Sequence, residues 1–123
     1  MRGYTVVTSA VALNVDYKWL DNLLSHHVVS GVRQARQGVS RTVSFEALRL
    51  IAIALELAGE LQTPLPRALV WAGRLAAGEN PAQAGNLTIS VALEAIDRRL
   101  AERLAYAVEV APIPRRGRPP REA

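Results

Sequence analysis

Residues 4–45 read Y-T-V-V-T-S-A-V-A-L-N-V-D-Y-K-W-L-D-N-L-L-S-H-H-V-V-S-G-V-R-Q-A-R-Q-G-V-S-R-T-V-S-F. This stretch decides the fold. Val7, Ala10, Val11 and Ala12 give a small apolar face behind Thr8, whose hydroxyl suits an N-cap. The helix should end near Leu13, because Asn14 tolerates the left-handed backbone better than most non-glycine residues. Asp16 then caps a second helix, and Val15 is left to plug the corner between the two. Two helices so closely joined make a tight helix pair.

On the second helix, Leu20, Leu23, Leu24 and His27 fall on one stripe. Tyr17, Lys18, Asp21, Asn22 and Ser25 fall on the other, a set of groups able to bond phosphates and base edges. Trp19 lies between the faces as a core-edge anchor. His26 and His27 stand at the helix C-terminus, where a cation is favoured, and lack the further ligands of a metal site. Beyond them, Val28, Val29 and Val32, then Val39, Thr42 and Val43, suit two strands, with Gly31 and Gly38 as punctuation. The tip between the strands carries Arg33, Gln34, Arg36 and Gln37, and Arg41 opens the return strand. A solvated basic loop would share this composition. Its place directly after a helix pair favours a wing whose arginines touch phosphates.

The chain continues with Ser44 as the cap of a third helix to about Ala58, with Leu48, Ile51, Ala52, Leu55 and Ala58 as its buried stripe and Gly59 as its stop. Pro64 and Pro66 mark a connector. A fourth helix is expected from about Pro66 to Ala77, with Leu69, Val70, Gly73 and Ala76-Ala77 on its apolar side and Trp71 as its anchor. Gly78 to Asn86 reads as a polar loop, and Leu87 to Val91 alternates like a short strand. A fifth helix from about Ala92 to Val108 carries Leu93, Ile96, Leu100, Leu104 and Ala107 on one side. That stripe can fold back on its own chain or pair two subunits.

The chain of 123 residues and 13.3 kDa is half hydrophobic and has no cysteine, which excludes a disulfide framework and a thiol nucleophile. It shows no leader and no apolar run of membrane-spanning length, so a cytoplasmic protein is expected. The net charge of +4 is unevenly spread. Residues 1–50 hold six cations against three acids, residues 51–111 five against seven, and residues 112–123 four against one. Basic ends around an acidic middle suit ends that touch nucleic acid and a middle that touches protein.

The first half of the chain resembles the winged-helix DNA-binding domain of MerR-type transcription regulators. Tyr4, Thr5, Val6, Ala10, Asn14, Val15, Asp16, Lys18 and Leu20 fall in that family's register, as do Arg41, Val43, Ser44 and Leu48 at the wing's close. Asp21 stands where the family commonly has a basic residue, Asn22-Leu23 where it has a tyrosine pair, and Val43 where it has an aromatic. The resemblance implies a second helix in the major groove, a wing on the flanking backbone and a homodimer paired through the last helix. Residues 111–123, A-P-I-P-R-R-G-R-P-P-R-E-A, should form no packed element. Their Arg116-Gly117-Arg118-Pro119 core resembles an AT-hook, in which glycine lets the backbone reach a narrow minor-groove floor between extended arginines.

The expected fold is therefore mainly α: a winged helix-turn-helix with a small β-hairpin wing over residues 1–60, a helical extension and dimerisation region over 61–111, and a disordered basic tail over 112–123. The expected contacts with double-stranded DNA are Tyr17, Lys18, Asn22, Arg33, Arg36, Gln37, Arg41, Arg116, Gly117 and Arg118. No cofactor, metal or membrane partner is expected, and the sequence names no small-molecule effector. The expected protein is a nucleoid-associated, sequence-specific regulator. Its rivals are an excisionase-like architectural factor that bends DNA, and a protein-interaction module such as an antitoxin or adaptor. An enzyme is the weakest reading, since no paired carboxylates, nucleophile elbow or phosphate loop is visible in the sequence.

Overall fold

A computed structural model describes residues 3–34 and 41–110. Its elements are β1 (Gly3–Tyr4), α1 (Val6–Leu13), α2 (Tyr17–His26), β2 (Val32–Arg33), β3 (Thr42–Ser44), α3 (Phe45–Glu60), α4 (Leu65–Ala76), β4 (Ala82–Ala84), β5 (Leu87–Ile89) and α5 (Leu93–Val110). The described chain is mainly helical, with a three-stranded antiparallel sheet ordered β1-β3-β2 and a separate β4-β5 hairpin.

Local chemistry sets the ends of α1 and α2. Thr5, and not Thr8, caps α1: its Oγ1 accepts the Thr8 amide at 3.0 Å. Thr5 is the extended residue that precedes the first helical turn, so it is the one with an oxygen in reach of the orphan amides. At the other end Asn14 adopts the left-handed conformation, φ 59° and ψ 46°. Its amide bonds to Val11 O, and the Val15 amide bonds to Ala10 O at 3.0 Å, a Schellman closure that turns the chain sharply. Val15 packs half-buried against the core, as expected of a corner plug. Asp16 caps α2 through the amides of Lys18 and Trp19, at 3.0 and 3.4 Å.

α3 is the central helix and serves two clusters. Its Ala47, Leu48 and Ile51 join Leu20, Leu23 and Leu24 of α2, Val43 of β3 and the small face of α1. Its Ile53, Ala54 and Leu57 pack with Ala68, Ala72 and Leu75 of α4 and with Ala82. Ser44 caps α3 by accepting the Ala47 amide at 3.1 Å. Gly59 does not stop it. The helix runs on to Glu60, held by Leu57 in the second cluster, and ends where Gln62 takes a positive φ of 53° ahead of Pro64.

Two further expectations are corrected, and one question left open is answered. The fully buried face of α4 is Ala68, Ala72 and Leu75, with the expected Leu69, Trp71 and Ala76 packed half-buried against the same cluster, whereas Val70 is 64 % exposed and Ala77 is exposed at the helix end; Trp71 also lies under the guanidinium of Arg74. Residues 82–84, expected in a loop, form β4 and pair with β5 across a two-residue turn at Gly85-Asn86, where Gly85 has φ 58°. Such turns need positive φ and match the twist of the flanking strands. Finally, of the two roles left open for the α5 stripe, the fold shows the internal one. Leu100 and Leu104 are both 4 % exposed and, with Ala107, pack into the first cluster alongside α1. The alanines of α1 let α5 approach, and Arg103 secures the contact by donating Nε–H to Ala12 O at 2.8 Å. Arg49 of α3 adds a bidentate pair to Asp97 of α5, at 2.8 and 2.9 Å, which raises its pKa above the ordinary value.

Candidate nucleic-acid interface

α2 presents the surface that the sequence singles out. Burying Leu20, Leu23 and Leu24 fixes the helix rotation, and the geometry of a helix then dictates the rest. Tyr17, Lys18, Asn22 and Ser25 are exposed, with Lys18, Asn22 and Ser25 one turn apart along one side. Trp19 is half-buried against the first cluster, as a core-edge anchor should be. His26 turns its ring back on its own helix, with Nδ1 2.8 Å from Asn22 O.

The β2–β3 pair follows α2, with Val32 opposite Val43 and Arg33 opposite Thr42. β1 adds a third strand, with Tyr4 opposite Val43. The chain reaches β2 through Gly31, whose φ of +95° only glycine adopts readily. The Gly31 carbonyl accepts the Ser44 amide at 3.0 Å, and a Cβ at Gly31 would lie 2.3 Å from Ser44 Oγ, the oxygen that caps α3. One glycine thus joins the hairpin to the start of α3. Val28 and Val29 lie before the strands and not in them: Val29 is buried, and Val28 is fully exposed.

Arg41 is not a loose cation. Its guanidinium donates to Asp21 Oδ1 at 2.9 Å and to Ser25 Oγ at 3.1 Å, two groups one turn apart on α2. The side chain is 23 % exposed. This fork ties the return strand to α2 and fixes the hairpin beside the exposed helix face. It also accounts for an acid at position 21, where the resemblance leads one to expect a base. With Asp16 engaged in capping and Asp21 in this pair, both carboxylates of the α2 region are occupied. Lys18 and Arg33 are exposed and enter no ion pair among the described residues.

Of the expected contact residues, the structure thus brings Tyr17, Lys18 and Asn22 together on α2 and sets Arg33 on the adjoining hairpin edge, with Arg41 as the tie between them. Arg36, Gln37, Val39, Arg116, Gly117 and Arg118 lie outside the described residues. What sequence reasoning missed is the Asp21–Ser25 pair as a seat for Arg41. Its only signal was an acid and a hydroxyl at helical spacing facing the basic hairpin.

Among the described residues no group of three histidines or acids could hold a metal ion, and no helix is long and apolar enough to cross a membrane. No protein-family model, curated protein or solved structure matches this chain.

Proposed function

We propose that this chain is a double-stranded-DNA-binding regulator of the MerR-like winged-helix kind, with α2 entering the major groove. Tyr17, Lys18 and Asn22 reach base edges and phosphates there, and Arg33 meets the flanking backbone from the hairpin. The observation that carries this reading is the Arg41 fork on Asp21 and Ser25, which ties a basic hairpin edge beside an exposed polar helix face. A recognition helix and a wing must present their contacts as one surface, and preorganisation removes part of the ordering cost of binding. Arg36 and Gln37 extend the wing contact, and Arg116-Gly117-Arg118 adds a minor-groove contact on the strength of sequence alone. The protein so read is cytoplasmic and nucleoid-associated. The homodimer implied by the resemblance uses an outward side of α5, where Ala101, Ala105 and Val108 are exposed, because α1 occupies Leu100 and Leu104.

Selecting bound sequences from a random duplex pool tests this reading. A sequence-specific regulator enriches a motif, and a dimer enriches two related half-sites. Enrichment of bendable steps without a motif would favour an architectural factor. No enrichment and no retention would refute DNA binding.

A further inference from the structure

A second feature lies away from the exposed face of α2. The end of α1, the middle of α3 and the first half of α5 enclose a cleft of about 230 Å³. Ala12, Leu55 and Ile96 contribute an apolar floor, and Glu56, Arg99 and Arg103 stand at its mouth. Arg99 and Arg103 are one helical turn apart on α5, so both guanidiniums border the same opening.

Neither cation is fully engaged. Arg103 uses its Nε–H on Ala12 O, and its terminal amino groups make no other bond among the described residues. Arg99 touches Glu56 only at 3.5 Å, between side chains that are 68 % and 45 % exposed. An exposed pair at that distance contributes little and exchanges readily. Two planar donor groups beside an apolar floor match a carboxylate attached to an apolar body, because a guanidinium presents a fork of N–H donors to two oxygens at once. The Glu56 carboxylate opposes any second negative charge, which restricts the ligand to a monoanion. The volume is below that of a drug-sized pocket and restricts it to a small one.

We propose that this cleft binds a small apolar monocarboxylate, held by Arg99 and Arg103 with its body on Ala12, Leu55 and Ile96. The bound molecule lies against Asn14, the turn that sets the start of α2. The proposal does not depend on the DNA reading, and its test contains no DNA, so either can fail alone.

The test uses the full chain labelled with ¹⁵N, titrated with 3-phenylpropanoate and with uncharged 3-phenylpropanamide. The acid should produce saturable amide shifts grouped at residues 12–14, 52–56 and 96–103, with a dissociation constant on the order of a millimolar, given the modest affinity available to so small a ligand. The amide should bind about ten-fold more weakly, since a charge-assisted fork is lost. Arg99→Gln, at an exposed position, should weaken the acid by a similar factor. Ala52→Leu, which fills the cleft while leaving every charge, should abolish the grouped shifts. The absence of saturable shifts, shifts scattered over the surface, equal binding of acid and amide, or unaltered binding by a folded Ala52→Leu variant would each overturn the proposal.

Discussion

Leu100→Ala separates a folded-back α5 from one that pairs subunits. Leu100 is 4 % exposed in a cluster shared with α1, α2 and α3, and the bidentate Arg49–Asp97 pair and the Arg103–Ala12 bond keep α5 from closing over a lost side chain. Truncating a buried leucine in such a setting costs about 2–5 kcal/mol, from lost transfer energy and a residual cavity. For a folded unit of this size each kcal/mol lowers Tm by roughly 4–8 °C, so a loss of about 10 °C or more is expected. Thermal unfolding by circular dichroism at two protein concentrations reads both the size and the origin of the effect. An internal contact lowers Tm equally at both concentrations, whereas a subunit contact makes Tm depend on concentration. Tyr106→Ala, at a side chain 62 % exposed, is the control and should change stability by no more than about 0.5 kcal/mol. A Leu100→Ala chain that melts like the parent, or a deficit that disappears at high concentration, would refute the folded-back packing.

Gly31→Ala should destabilise by about 2 kcal/mol or more in urea unfolding, because positive φ costs about 1–3 kcal/mol in a non-glycine residue and the new Cβ displaces the Ser44 cap; Ser44→Ala alone should cost about 1 kcal/mol. Asn14→Val should cost about 1–2 kcal/mol by forcing a β-branched residue into the left-handed turn, while Asn14→Gly stays within a few tenths of the parent. The hydrogen bond from Arg74 holds the Glu79 carboxyl below its ordinary pKa. A depressed pKa means that the pair stabilises the fold above the ordinary carboxylate range and ceases to do so as pH falls through the lowered value. A carboxyl titration by NMR should therefore show Glu79 returning upward to ordinary behaviour in Arg74→Gln.

What could be read in the chain was local. Asn14, Asp16 and Ser44 act within three or four residues of themselves, and each ends or begins its helix as its chemistry requires. The stripe of α2 was legible because three leucines at helical spacing form its buried face, with the expected His27 half-buried at the helix end. The apolar side of α4 was legible only in part: Leu69, Trp71 and Ala76 do pack against the second cluster, but Val70 points outward. The fully buried face is Ala68, Ala72 and Leu75, and its two alanines carry too little apolar signal to set the phase although they admit α3 closely. β4 was hidden because Ala82-Gln83-Ala84 has no strand preference of its own and becomes a strand only by pairing with β5. The Arg41–Asp21 tie spans 20 residues of sequence and appears only once the hairpin has folded beside α2. In the candidate interface, then, the exposed helix face was readable, and the device that aligns the hairpin with it was not.

The most direct test of the central claim is the salt dependence of duplex binding by the parent chain and by Lys18→Ala/Arg33→Ala, followed by fluorescence anisotropy between about 50 and 200 mM salt. Both positions are exposed, so the variant should fold as the parent does. The account predicts that the parent binds with an affinity that falls steeply with salt, and that the variant's log–log slope is shallower by about 0.9 for each phosphate contact removed. A parent chain that fails to bind duplex at the lowest salt, or a folded double variant whose slope equals the parent's, would contradict it.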